Sequence, residues 1–136
     1  MAAVAVMDAL AAFLAAHTAS PWVWGESDCC MTPASWAAAN GHGDLMAVHR
    51  GEYDDEAGAL AIVVRRGGVL PMISDGCARI GLLRTDLRVR GVIGVIGSLN
   101  TPTRQWGAIW DGERWQVRDP AGFVALTAPA LGMWSV

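Results

Sequence analysis

Residues 22–31 read WVWGESDCCM, a stretch that joins a glycine turn and an acidic residue to two adjacent cysteines. A cysteine is a useful nucleophile only as its thiolate, which requires a lowered pKa and partial exposure. Residues 25–28 predict a turn and a helix N-cap before Cys29, where the helix dipole favours a thiolate. The alternative is a buried structural corner, because unpaired cysteine is among the most buried residue types. The local sequence leaves both interpretations of Cys29 open, whereas Cys30 and Cys77 are expected in the core.

Helical patterns occupy the first 80 residues on both sides of this stretch. Four helices are predicted. The first ends before Ser20-Pro21, and the second extends from Asp28 or Thr32 to Asn40-Gly41. The third has acidic residues 54–56 in its first turn and ends at Gly67-Gly68, and a short fourth helix covers Pro71 to Ile80. Proline fits best in the first turn of a helix, so Pro33 favours Thr32 as the N-cap. Cys29 would then lie one turn before the regular helix. In the alternative, the helix begins at Asp28 with an irregular first turn.

After Gly81 the helical periodicity gives way to short β-type runs. These runs are separated by turn residues and lie at 87–89, 92–96, 106–110, 115–117, 123–126 and 133–136. The Asp111-Gly112 pair between two of them predicts a β-hairpin. Helices followed by antiparallel strands indicate the α+β class. We therefore predict a single domain over 1–136, with a helical half at 1–80 and a β half of about five strands at 81–136.

The composition excludes several classes of function. The 136-residue chain has a net charge of −3 and no basic run, which argues against nucleic-acid binding. No apolar stretch reaches the ~18 residues of a membrane span, and the alanine-rich start lacks a positively charged region. We therefore expect no membrane span, no signal peptide, and synthesis in the cytoplasm. The adjacent cysteines do not have the spacing of a zinc site or of a disulfide framework, so no metal or cofactor is predicted.

Seven tryptophans are a high count for this length. Trp22 and Trp24 flank the cysteine turn, where core packing is the favoured interpretation and a groove or subunit interface is the alternative. Trp106 and Trp110 share one side of a predicted strand and are expected to form an apolar patch with Trp115. Such a patch, where exposed, indicates a partner surface.

Four short motifs follow one another in a fixed order: Trp24-Gly25-x-x-Asp28-Cys29, Arg50-Gly51-x-Tyr53, Gly67-Gly68 and Arg90-Gly91. In order and spacing they resemble a family of small phage tail-cluster proteins, related to NlpC/P60 cysteine peptidases and to the peptidase-like protein of gene transfer agents. The resemblance extends from Trp22 to the carboxy-terminal residues. It implies a papain-like α+β fold in which Cys29 is the nucleophile at the start of a helix and Asp28 positions the turn. Arg50 and Tyr53 are expected to form a hydrogen-bonded corner.

The resemblance also implies a histidine base at the start of a central strand, in a His-x-Gly-Ile-Tyr-x-Gly type pattern. The matching stretch here is 105–112, so Gln105 occupies the histidine position. Glutamine cannot accept a proton at neutral pH, and nothing near Gln116 to Arg118 on the next strand replaces the missing base. Val92 also stands where active relatives usually carry aspartate. The three histidines do not lie at the start of a strand in the expected place; they are His17, His42 and His49.

These features predict a structural component of a phage tail tip or phage-like particle, located in the virion. It would use a degenerate cysteine-peptidase fold for contacts with other tail-tip or hub proteins. The alternative is an active hydrolase that cuts peptidoglycan peptides during genome entry, with Cys29 as nucleophile. A third possibility is a free-standing binding module in the bacterial cytoplasm.

Overall fold

A helical layer followed by an antiparallel sheet makes up the fold. The computed structural model describes residues 7–136, so the first six residues of the predicted domain lie outside the described part. The helices are α1 (Ala9–Ala19), α2 (Thr32–Ala39), α3 (Glu56–Arg66) and α4 (Val69–Ile80). The strands are β1 (Ile93–Gly97), β2 (Gln105–Trp110), β3 (Trp115–Asp119), β4 (Gly122–Leu126) and β5 (Ala130–Trp134), with a short 3-10 turn at Pro102–Arg104. The predicted α+β class is confirmed.

The helices begin and end where capping chemistry allows. The Asp8 carboxylate accepts a hydrogen bond from Ala11 N (2.9 Å) at the start of α1. Asp55 caps α3 in the same way, which places only Glu56 of the acidic triplet inside the helix. The helix ends at Gly67, whose φ of +86° suits glycine. No single described helix is long and apolar enough to span a membrane; α3 and α4 reach that length and composition only as a pair bent by 74°.

The five strands form one antiparallel sheet in the order β4-β3-β2-β1-β5. The predicted hairpin is confirmed, because Asp111 N donates to Arg114 O (3.0 Å) between β2 and β3. The prediction of a strand at 87–89 is wrong. Leu87 and Val89 are 72% and 58% exposed within an irregular connection to β1. Apolar residues such as Val89 favour a strand locally, but no strand within residues 7–136 pairs with this segment.

Both faces of the sheet bury apolar side chains. Ile93, Val95 and Ile109 belong to the cluster that packs against the helices. On the opposite face Trp115 lies across Gly94, where a Cβ atom would be 2.7 Å from the indole ring. Its Nε1 donates to Ala128 O (3.2 Å) and its exposed fraction is 0%. Trp115 was also a candidate interface residue, and its burial in the core removes it from any exposed surface.

Candidate functional site

The cysteine turn is built around the buried carboxylate of Asp28, which is 1% exposed. Its Oδ1 accepts hydrogen bonds from Cys30 N (3.0 Å) and Met31 N (3.1 Å). Its Oδ2 accepts from Gly25 N (2.7 Å) and from the Tyr53 hydroxyl (2.6 Å). A buried charge needs such compensation, and four donors supply it. Asp28 therefore holds the shape of the turn that presents Cys29.

The regular part of α2 begins at Thr32, three residues after Cys29. Its N-cap is Met31, one residue before the predicted cap, and Pro33 lies in the first turn as predicted. The turn from Asp28 is still bonded in a helical manner, since Asp28 O accepts from Thr32 N (3.0 Å). An irregular turn thus separates Cys29 from an eight-residue helix, which weakens any effect of the dipole on the thiol.

Two of the sequence motifs dock directly on each other. Gly51 N donates to Gly25 O (2.9 Å), and Arg50 Nη1 donates to Glu26 O (3.1 Å). Gly25 has a φ of +80°, and a Cβ atom there would lie 2.4 Å from Tyr53 O, so the contact requires glycine. The predicted hydrogen-bonded corner is confirmed. Burial, together with nearby Cys30 and Asp28, raises the pKa of Tyr53, so its hydroxyl stays protonated and remains a donor.

A two-lobed cleft opens beside this corner, and Cys29 lies where the lobes meet. The larger lobe has a volume of about 480 Å³ and the smaller about 200 Å³. Cys29, Trp24, Glu56 and Trp106 line both lobes. The thiol is partly exposed and packs against both apolar clusters of the fold. A ligand in either lobe would therefore contact Cys29.

Three of the five tryptophans proposed as interface residues line this cleft. Trp22 and Trp24 pack edge-to-face with ring centroids 5.0 Å apart, and Trp106 is 36% exposed. Trp110 packs instead against the buried Trp115, away from the lining of both lobes. Strand parity placed Trp106 and Trp110 on one side correctly, but it carried no information about which of them stays uncovered.

The sequence interpretation missed several residues of the cleft. They share no motif, and they come from β4, from the end of β3 and from the start of α3: Val124, Leu126, Arg118, Asp119 and Glu56. The available signal was Val124 and Leu126, two apolar residues that the edge strand β4 leaves exposed. An edge strand packed on both faces would have no exposed apolar residues.

The other two cysteines belong to the core, as predicted. Cys30 is 7% exposed and Cys77 is 0% exposed. The contact with Cys29 and burial raise the pKa of the Cys30 thiol well above its ordinary value. Burial raises the pKa of Cys77 to about 12. Both thiols are therefore protonated at neutral pH and are poor nucleophiles.

Gln105, at the position of the expected base, is the first residue of β2 and is 4% exposed. Its Oε1 accepts a hydrogen bond from Leu70 N (3.0 Å), and its Nε2 donates to Ser98 O (3.0 Å). The N-cap of α4 is Gly68, which supplies no side-chain bond. A Cβ atom at Gly68 would lie 2.3 Å from the Gln105 oxygen. Gln105 therefore caps α4 from the neighbouring strand, in a space that glycine leaves open.

The histidines of the chain lie away from Cys29. Within residues 7–136, none of the three lines either lobe of the cleft. His17 stacks on Phe13 at 3.9 Å between ring centroids, and burial lowers its pKa. His49 is buried with its Nδ1 2.7 Å from a Glu52 carboxylate oxygen. No group of three or more histidine, cysteine or acidic side chains in the described part could hold a metal ion.

One protein-family model matches nearly the whole chain. Neither the curated proteins nor the solved structures contain a match. The family model described as Domain of unknown function (DUF6950) matches residues 4–136, and the chain belongs to that family.

Proposed function

We propose that this protein is a structural component of a phage tail tip or phage-like particle, built on a degenerate papain-like fold of the NlpC/P60 type. It acts through protein–protein contacts and not through catalysis. The observation that carries the proposal is the state of Gln105. At the position of the base, its amide is committed at both ends to backbone groups. A thiol without a neighbouring base is a weak nucleophile at neutral pH.

The papain-like assignment is supported by how the cysteine turn packs on the sheet. Helix α2 lies against β2, so the candidate nucleophile and the strand of the expected base are neighbours. The contact is close at Gly107, where a Cβ atom would lie 2.7 Å from Cys29 O and 3.0 Å from Pro33 Cγ. The glycine of the His-x-Gly pattern is therefore needed for the packing of these two elements, with or without catalysis.

A role in protein contact is supported by the walls of the cleft. Trp106, Val124 and Leu126 are 36%, 40% and 36% exposed around one open lobe. Aromatic and aliphatic side chains with few charges are typical of the centre of a protein interface. The location in a virion tail rests on the resemblance of the sequence motifs.

The second candidate function is a cysteine hydrolase, and one observation favours it. Cys29 is partly exposed where the two lobes of an open cleft meet, as a nucleophile must be. No histidine within residues 7–136 lines the cleft, so a histidine base for this function would have to come from elsewhere, for example from another protein of the particle.

Cysteine labelling separates the two functions. Iodoacetamide is applied to the isolated and the assembled protein across a range of pH, and each cysteine is followed by mass spectrometry. A structural role predicts slow labelling of Cys29 at low pH and equal muropeptide turnover, at background, for wild type and Cys29→Ala. Cys77→Ala is the matched control, because it removes a thiol outside the cleft. Fast labelling at low pH, with muropeptide cleavage that Cys29→Ala abolishes, would establish the hydrolase.

The particle assignment has its own test. Purified particles from a producing strain should contain this chain at a fixed ratio to other tail proteins by quantitative mass spectrometry. Absence of the chain from particles that are otherwise complete would refute the tail-tip role. That result would leave the labelling experiment to decide what the cleft does.

A further inference from the structure

A buried guanidinium without a counter-ion borders the larger lobe of the cleft. Arg118 is 2% exposed. Its Nη1 donates to Gly122 O (3.1 Å) and Asp119 O, and its Nη2 donates to Ser20 O (2.7 Å). Its Nε has no hydrogen-bond partner within the described residues. Among residues 7–136 its nitrogens form no salt bridge within 4.0 Å, and residues 1–6 contain no acidic side chain.

Backbone carbonyls offset only part of this charge. Ser20 is the C-cap of α1, and the carbonyl end of a helix favours a nearby cation. A buried charge still costs free energy unless an opposite charge accompanies it. The unused Nε–H of Arg118 adds an unpaired donor to the unpaired charge. An anion with hydrogen-bond acceptors would satisfy both.

A second unpaired donor lies beside the first. The indole Nε1 of Trp22 is buried and also lacks a hydrogen-bond partner in the part of the chain that the structure describes. Arg118 Cζ lies 5.9 Å from the centre of the Trp22 ring, and both residues line the larger lobe. Two unpaired donors at one end of an apolar cleft indicate a ligand that carries acceptor oxygens at one end and apolar groups along its length.

We infer that the larger lobe binds an acidic segment of a partner protein, in which one glutamate or aspartate side chain meets Arg118 and Trp22. The planar guanidinium matches the geometry of a carboxylate. Apolar side chains flanking that acid lie against Trp106 and Val124. This inference rests on the proposed function, since it gives the chemistry of the partner that the tail-tip protein contacts.

Charge elsewhere in the lobe restricts the partner to a single acid. Glu56 and Asp119 also line the larger lobe, and the chain has a net charge of −3. Asp119 is engaged, since its Oδ1 accepts from Ala121 N (2.9 Å), but its charge remains. A polyanion such as nucleic acid would be repelled by these groups. One carboxylate between apolar residues avoids them.

Matched peptides test the inference on the wild-type protein. The first is a short acetylated and amidated peptide with one glutamate between leucines; the second replaces glutamate by glutamine. Calorimetric titration should give binding that is roughly tenfold or more weaker for the glutamine peptide, because only glutamate pairs with the guanidinium. A third peptide keeps glutamine but has a free carboxyl terminus. If the third binds as tightly as the first, the site recognises a chain end and the inference is wrong.

Variants assign the effect to the two donors. Trp22→Phe keeps an aromatic ring and removes Nε1, so the preference for glutamate over glutamine should fall several-fold. Arg118→Met should abolish the preference. Arg88→Met is the control, because its guanidinium lies over Trp110, 4.7 Å from the ring centre, outside both lobes. Circular dichroism shows which variants fold; if Arg118→Met does not, the peptide comparison on wild type and Trp22→Phe still decides.

Equal affinity for the glutamate and glutamine peptides would overturn the inference, as would no saturable binding of the glutamate peptide up to about 1 mM. These outcomes are distinct from failure of the proposed function. If the chain is present in particles but binds the glutamate and glutamine peptides equally, the acidic-partner site is refuted and the tail-tip role stands. If the chain is absent from particles but binds the glutamate peptide more tightly, the tail-tip role is refuted and the acidic-partner site stands.

Discussion

Replacement of Gln105 by alanine tests whether this residue, at the expected position of the base, is part of the scaffold. The substitution removes the acceptor for Leu70 N and the donor for Ser98 O, both at 3.0 Å. If Gln105 were only an inert substitute for a histidine, its loss would change stability little. If it caps α4, unfolding should become easier by a measurable amount.

The magnitude follows from the two bonds. Loss of a helix N-cap typically costs about 1 kcal/mol, and a buried group left without a partner costs about 1–3 kcal/mol. The Ser98 carbonyl lies at a partly exposed position, where water can replace the lost donor. We therefore expect Gln105→Ala to lower the free energy of unfolding by about 2 kcal/mol, measured by urea denaturation followed by tryptophan fluorescence.

Gln116→Ala is the matched control for this substitution. Gln116 also makes one side-chain bond, from its Nε2 to Asp111 Oδ2 (2.7 Å), but it is partly exposed on the hairpin. Water can solvate the Asp111 carboxylate after the substitution. Its cost should stay below about 1 kcal/mol.

A double-mutant cycle with Gly68→Ala shows whether the two positions interact. The new Cβ atom would lie 2.3 Å from the Gln105 oxygen, at a φ of +129° that already disfavours alanine. In the Gln105→Ala background the steric clash disappears and only the backbone strain remains. The summed cost of the single variants should exceed that of the double variant by about 1 kcal/mol or more. Additive costs, or a Gln105→Ala cost no larger than that of Gln116→Ala, would refute the capping role.

Three further substitutions have defined outcomes. Tyr53→Phe removes the 2.6 Å hydrogen bond to the buried carboxylate of Asp28, so urea denaturation should show a loss of about 1.5–3 kcal/mol; a loss below about 0.5 kcal/mol would contradict the bond. Arg90 Nε donates to Asp8 Oδ2 (2.6 Å), and this hydrogen bond lowers the pKa of the carboxyl from 3.8 to about 2. The pair therefore stabilises the fold above pH 4, and this contribution is lost as the pH falls from about 4 to about 2. The urea midpoint of Asp8→Asn should therefore fall less than that of wild type over this range, and an identical fall would exclude the linkage. Gly76→Ala should lower the melting temperature, because the new Cβ atom would lie 1.9 Å from Leu45 O. Helix propensity alone predicts the opposite, since alanine is the better helix former by about 1 kcal/mol. An unchanged or higher melting temperature would exclude so close an approach.

The end of α3 and the turn between β2 and β3 could be predicted because their causes are local. Gly67 and the Asp111-Gly112 pair act through backbone conformations that few other residues adopt. Strand identity at 87–89 could not be predicted in this way. A run of apolar residues becomes a strand only where another strand can pair with it. No strand of the described chain pairs with residues 87–89. The apolar residues Leu87 and Val89 are therefore exposed in the connection before β1.

The candidate site was predictable only in part for a related reason. The motif pointed to Cys29 and Asp28 as candidates, and the resemblance pointed to Gln105 at the expected position of the base. That Gln105 caps α4 depends on Gly68, which is distant in sequence but adjacent in space. Burial of Trp115 likewise depends on Gly94 in the neighbouring strand. Pairs of this kind carry no local signal in either residue.

The motif that resembles a peptidase also holds the cysteine corner together, so variants of its residues differ in what a loss of function means. Asp28 accepts four hydrogen bonds that hold the corner together, so its replacement should unfold the turn whether or not the protein is an enzyme. Gly25 is required by the fold for a similar reason, because a Cβ atom at this position would lie 2.4 Å from Tyr53 O. The Cys29 side chain differs, since it is partly exposed and packs against both apolar clusters without contributing to the bonds of the Asp28 carboxylate. A loss of function in Cys29→Ala with an unchanged fold would therefore implicate the thiol, whereas a loss in an Asp28 variant would implicate only the scaffold.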